Sequence, residues 1–460
     1  MITKCITLVL PVLFYYANCE INILGYIDYR TEVLNETVSS LCVLKEAISR
    51  INVTRIEIKN QEIPVFAKNE LNGTKIRELS FISDKITDLE PGALDGSSIE
   101  SLYFPGNRIK TLKKGVLNQK TFQTLSFEIN QISEIEEDAF ENLVVDDLNL
   151  EHNELTKITA KTFRRITVSA IRLGFNKIKE LDELAFQGTA PLKLLYINDN
   201  EIEDIGKTFN NLPRIELLDL DNNKIKTLAP DSFQYSNISW ILLVQNQITE
   251  IKNGVFNNLP FNFIGLSGNQ IFKIENGAFS QSPDLKYLFL SDNKLGDLKK
   301  NSLGGLRGKL EVLEINRNGI SNIEPGVFEN FEFKQLILNN NTLKIIKKGI
   351  FKNVKVLNLQ LIQNEITDIE IGAFDEHIEN IDLSGNHLKE IKRGMFGTSL
   401  KNVVLRQNEI SELDRDLYTI NDTIDSFNLQ EKEEELMCED SEVSNVPSNV
   451  NSNIEVKLKE

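Results

Sequence analysis

The sequence predicts an α/β solenoid whose concave side is a parallel β-sheet of about 16 repeats. Three observations carry this. An Asn recurs every 22 to 25 residues, most often 23. An Ile or Leu stands two positions after it in every repeat, and through most of the chain a Phe follows about ten positions after it. The slots are Gln61, Asp84, Asn107, Asn130, Asn153, Asn176, Asn200, Asn223, Asn246, Asn269, Asn293, Asn318, Asn341, Asn364, Asn386 and Asn408. A period of this length marks units that bury their apolar sides only by stacking on one another.

Each element of the repeat has a physical reason. Before the Asn, as in "LDL" at 218–220 and "LFL" at 288–290, apolar residues sit five and three positions upstream. Such alternation is a short strand with one face in and one face out. The chain must then turn sharply, stranding backbone donors and acceptors, and an Asn amide carries both functions needed to satisfy them. The rings at Phe140, Phe163, Phe186, Phe209, Phe233, Phe256, Phe279, Phe328, Phe351, Phe374 and Phe396 are expected to stack as a spine filling the back of each coil. The convex side is expected to be irregular or short-helical.

Written out, the repeat is LxxLxLxxNxIxxIxxGxF, seen as "IELLDLDNNKIKTLAPDSF" and "LKYLFLSDNKLGDL". Over roughly residues 51–420 this resembles the typical subfamily of extracellular leucine-rich repeats, found in Toll-like receptor ectodomains, the acid-labile subunit, Slit, chaoptin and insect soluble immune repeat proteins. The resemblance implies a horseshoe solenoid and a recognition role, innate immunity among its uses. The fold alone leaves the ligand open. The multi-cysteine caps of many relatives are lacking, as are a membrane span and heptads in the acidic, polar segment after Leu429.

The first residues, "MITKCITLVLPVLFYYANC", have a basic start, an apolar run and small residues near a cut site, which predicts a secretory signal over 1–19, with a cut at 17 as the alternative. An N-terminal cap is expected over 20–50, the solenoid over 51–432 and a disordered acidic and polar tail over 433–460. Sequons at Asn35, Asn52, Asn72, Asn237 and Asn421 agree with a secreted, extracellular glycoprotein. A cut after Cys19 leaves Cys42 and Cys438 as the only pair, whereas the earlier cut keeps Cys19 for Cys42. Fifteen strand steps separate the ends of the sheet by roughly 70 Å, far beyond the reach of a disulfide. The pair Cys19–Cys42 is therefore expected, which favours the cut at 17 and leaves Cys438 free or bridging to a second copy as a homodimer.

The net charge of −17 argues against nucleic acid and anionic membrane partners. No cofactor, metal or catalytic constellation is expected: the three His fall in different repeats, and "LGGLRGKL" at 303–310 fails the spacing of a phosphate loop. Outward side chains, at six, four, two and one positions before the Asn, define the candidate binding surface. Over most of the chain they are small or polar, such as Ser101, Asn149, Ser267, Asn316, Gln360 and Ser384. In the middle they are Tyr196, Trp240, Leu242, Val244, Phe263, Tyr287 and Phe289, an apolar run expected to face solvent and anchor a protein or peptide ligand. Asp199, Asp219 and Asp221 lie beside it, with Asp147 and Glu151 further along. These acids could steer a basic ligand or form a solvated acidic face. A structural or adhesive protein, self-associating through repeat edges and Cys438, is the alternative function.

Overall fold

The structure, a computed structural model, describes residues 54–411 except 213, 307, 375 and 376, together with the backbone of the strands Ile23–Ile27, Arg30–Glu32, Glu412–Leu413 and Ser426–Asn428. From Arg55–Lys59 to Asn402–Val404, sixteen strands pair in parallel, each with its successor in sequence. The register follows the repeat: Leu125, Leu148, Ile171, Leu195, Leu218, Ile241 and Ile264 lie side by side. All of these are buried in one continuous core. Ser426–Asn428 adds a further parallel strand beside Asn402–Val404. At the other end Ile23–Ile27 runs antiparallel to both Arg30–Glu32 and Arg55–Lys59, which gives the first repeat a partner on its outer edge.

The convex side carries two-residue parallel pairs, such as Lys157–Ile158 with Glu180–Leu181 and Glu250–Ile251 with Lys273–Ile274, joined by turns. Among the described residues there is no helix, so the convex side takes the irregular form of the two expected. A helix requires a run of residues in one conformation, and each coil has only a short segment between its ring and the next strand.

The Asn does more than satisfy its own turn. The Nδ2 of Asn223 donates to its own coil at Leu220 O (3.1 Å) and to the preceding coil at Ile197 O (2.9 Å), while Oδ1 accepts from Ile202 N (3.1 Å). The arrangement recurs to Asn408, which bonds Leu383 O, Leu405 O and Leu388 N. Each amide therefore ties two coils together away from water, where an unmade bond costs most. The residue just before each slot is left-handed in all sixteen repeats, from Asn60 at φ 58 to Gln407 at φ 54. Its N–H donates to a carbonyl of the next coil, as His152 N does to Gly174 O at 3.1 Å.

The spine is present, with neighbouring rings between 5.3 and 6.4 Å apart from Phe140 to Phe279 and again from Phe328 to Phe396. In the first coils the slot holds Leu71, Leu94 and Leu117, and the rings move to the strand side, where Phe81, Phe104 and Phe127 stack at 5.4 and 5.5 Å. Between Phe279 and Phe328 the slot holds Leu303, within the longest repeat. There Gly304, at φ +61, passes so close to Ile274, Ala278 and Phe279 that a Cβ would lie within 3.0 Å of each.

Asp84 is the one carboxylate in the ladder. Its Oδ1 accepts from Gln61 N at 2.7 Å, but Oδ2 is buried with no hydrogen-bond partner. Burial pushes its carboxyl up to about 7 from 3.8. The folded state thus holds a proton that the unfolded chain releases, so this group's contribution is full below 3.8 and is lost as pH rises through about 7. Asp84→Asn is expected to raise stability at pH 8 by about 1–3 kcal/mol, and to gain much less at pH 4, in chemical denaturation at the two pH values. Asn223→Ala, which unties two coils, is expected to cost about 2–4 kcal/mol in the same assay.

Candidate ligand-binding face

A second hydrophobic cluster lies outside the main core, on the concave face of the sheet. Leu217, Leu242 and Phe263 are its buried centre, with Leu194, Tyr196, Trp240, Tyr287 and Phe289 packed around them. The parallel register stacks the slots: Leu194 beside Leu217, Leu217 beside Trp240, Trp240 beside Phe263, and Phe263 beside Tyr287. Trp240 and Phe263 stack at 4.8 Å with their planes 7° apart, and Phe289 meets Phe263 edge-on at 4.9 Å. Gly265 makes this possible: a Cβ there would sit 3.2 Å from the Phe263 ring and 3.3 Å from Val244. The missing side chain is the space into which Phe263 reclines.

This reclining corrects one expectation. Leu242, Val244 and Phe263 do not face solvent; they are 6%, 9% and 6% exposed beneath their neighbours. The accessible apolar surface comes from Tyr196, Trp240, Tyr287 and Phe289, all half-buried. Val244 lies outside the cluster, its N–H donating to Asp221 at 2.6 Å. Tyr287 donates its hydroxyl to Glu311 at 3.0 Å. Sequence reasoning missed Leu194, Leu217, Arg172 and Gly265, although the first two occupy the same outward slot as Trp240.

Beside the cluster one cation, Arg172, stands among the acids and pairs with Asp147. Arg172 Nε donates to both carboxylate oxygens of Asp147 at 3.1 Å, and its guanidinium lies 4.8 Å from the Tyr196 ring centre. Asp219 Oδ1 accepts from Asp221 N at 3.0 Å, and Asp199 Oδ2 accepts from Asn198 Nδ2 at 2.8 Å. Burial raises the Asp219 carboxyl to about 6, and burial together with the charge of Asp219 raises Asp221. Burial also raises Glu151, against the pull of Arg172. Among the described residues no group of three or more His, Cys, Asp or Glu is placed to hold a metal ion.

The C-terminal part of the concave face differs. Asn402 Nδ2 donates to Asn380 (2.6 Å), Asn380 Nδ2 to Asn358 (2.9 Å) and Asn339 Nδ2 to Gln360 (2.9 Å), so outward amides satisfy one another. The sequons at Asn72 and Asn237 are exposed, the latter immediately before the strand Ile238–Leu242 that carries Trp240. Asn35, Asn52, Asn421, Cys19, Cys42, Cys438, the expected signal and the tail lie outside the described residues. No helix among the described residues is long and apolar enough to cross a membrane.

The family model for the BspA type leucine rich repeat region matches residues 42–169 and 306–425, more than half of the chain, and the leucine rich repeat model matches 166–225, 206–248 and 263–308. The chain belongs to the leucine-rich repeat family. No curated protein matches this leucine-rich repeat chain at a significant level. Similar solved structures include Drosophila Toll in its complex with Spatzle, at 19% identity and a TM-score of 0.64 over 78% of this chain. Others are a leucine-rich repeat protein of Leptospira interrogans, at 21% identity, TM-score 0.48, over 74% of this chain and 90% of its own, and mouse RP105 in complex with MD-1, at 18%, TM-score 0.47, over 77% and 67%. This chain spans 51% of the Toll chain.

Trp240 is the only Trp and lies one strand from the Asp219–Asp221 pair. Its fluorescence is expected to change near pH 6 as Asp219 ionises, and Asp219→Asn is expected to abolish that change. The sign for stability matches that at Asp84: the raised Asp219 carboxyl contributes fully at low pH, and its contribution is lost as pH rises through about 6.

Proposed function

We propose that this leucine-rich repeat protein is a secreted, non-enzymatic recognition protein that binds a protein ligand on its concave face, over Tyr196, Trp240, Tyr287 and Phe289. The observation that carries the reading is the hydrophobic cluster lying apart from the core on the open face of the sheet. Aromatic side chains held rigid by stacking lose little freedom on binding, which is what an interface anchor needs. Asp199, Asp219 and Asp221 along one flank select a ligand with basic residues beside its apolar ones. A glycan on Asn237 borders the cluster and sets the direction of approach.

The likeness to Toll, whose solved structure holds it in complex with Spatzle, supports a recognition role in innate immunity. The self-satisfied amides of the C-terminal concave surface support placing the ligand in the centre, since those groups gain little from a new partner.

The test is affinity capture from the organism's extracellular fluid with wild type beside a Trp240→Asp, Phe289→Asp variant that retains the wild-type circular dichroism melt. The expected result is one or more proteins held by wild type and released by the variant. Identical captures from both would move the function off this face, and a dimer on a non-reducing gel that depends on Cys438 would favour the adhesive alternative.

A further inference from the structure

At the edge of the sheet the residues just before the Asn slots form a column in which the backbone is left-handed in every repeat. Most of its members suit that conformation, being Asn, Gly, Asp, Ser or a flexible polar residue. Ile129 (φ 54) and Phe175 (φ 55) break the pattern, with His152 (φ 54) in the repeat between them. A β-branched residue and a bulky aromatic are the side chains this region accepts worst. Both are also exposed, Ile129 at 53% and Phe175 at 45%, so core packing does not explain them. His152 stacks on Phe175 with ring centres 4.3 Å apart, and Ile129 holds the same position one coil before it.

Ile129 and Phe175 stand two coils apart with His152 between them, and strained, exposed apolar side chains of this kind collect at functional positions. The charges around them indicate the occupant. Glu128 and Glu151 are the next residues inward from Ile129 and His152, and Asp199 continues the column beyond Phe175; none of the three makes an ion pair among the described residues. From this juxtaposition we infer that Ile129, His152 and Phe175 form a second docking strip for a protein segment whose apolar side chains are flanked by Lys or Arg. The apolar residues seat on the strip and the basic ones reach the carboxylates to either side. The strip is a contact surface in its own right and stands whether or not the Trp240 cluster binds.

Asn is at home in a left-handed turn, so Ile129→Asn with Phe175→Asn removes the apolar strip while relieving the backbone. Fluorescence anisotropy is measured with three labelled peptides of equal length: Leu alternating with Lys and Arg, the same with Glu for the basic residues, and the same with Ser for Leu. In a Trp240→Asp background, which removes the concave anchor, the protein is expected to bind the Leu/Lys/Arg peptide, and the double variant made in that background to bind it about tenfold more weakly. The melting temperature of the double variant is expected to equal or exceed that of its Trp240→Asp parent. The inference is overturned if the Trp240→Asp parent does not bind that peptide, if the double variant binds it as well as that parent, or if the Ser or Glu peptide binds equally. Loss in Trp240→Asp alone would place the peptide on the concave cluster instead. A sharply lower melting temperature in the double variant would show the two side chains to be packing residues.

Discussion

Everything in this solenoid hangs on one side-chain amide shared between successive coils. By bonding its own turn and the one before it, the Asn fixes where each strand ends and which residue of one coil faces which residue of the next. The spacing of the slots becomes the register of the sheet, and that register stacks like upon like. Rings meet rings on the inside, and on the concave face Leu217, Trp240, Phe263 and Tyr287 come into line though more than twenty residues separate each from the next. The same geometry imposes the left-handed residue before each slot. Scaffold and candidate surfaces are therefore consequences of a single hydrogen-bonding device.

The period, the strand polarity, the Asn role and the later part of the ring spine were all legible in the residues, because each is a local pattern repeated many times. What was not legible depended on pairs of coils. The swap of the rings from Phe127 to Phe140 is visible as letters, but only the stacked structure shows that the rings stack from coil to coil on either side of the core. The burial of Phe263 could not be read from its outward slot, since it follows from Gly265 two residues on, where a missing Cβ lets the ring lie flat. Ile129 and Phe175 looked like ordinary apolar residues until the positive φ of their column made them anomalous.

The carboxylates divide in a way that net charge conceals. Along the edges and convex turns many are neutralised by a Lys or Arg one coil away, such as Glu311 by Lys334 and Asp292 by Arg317, and such exposed pairs contribute little to stability. On the concave side of the repeats from Asn130 to Asn223, one guanidinium, that of Arg172, stands among several acids, and burial holds Glu151, Asp219 and Asp221 above their usual range. Charges left partly desolvated and short of counterions interact strongly with whatever cation approaches. This region lies between the aromatic cluster and the edge strip, so a single basic partner could engage both.

The interruption of the ring spine at Leu303 has a mechanical meaning. In a repeat array stability is nearly a chain of nearest-neighbour couplings. The coil with the longest loop, the added glycines and an aliphatic residue in place of a ring is the weakest link in that chain. The ring spine thus falls into two stretches that meet at this joint, the first ending in the ring of Phe279 and the second beginning with that of Phe328. The aromatic cluster reaches from the first stretch onto the joint itself, through Tyr287 and Phe289, and the amide-lined surface lies on the second. Bending at the joint moves Tyr287 and Phe289 relative to Trp240 and Phe263, so the packing of the aromatic cluster and the curvature of the concave face are coupled, and a partner bound on the cluster sets both.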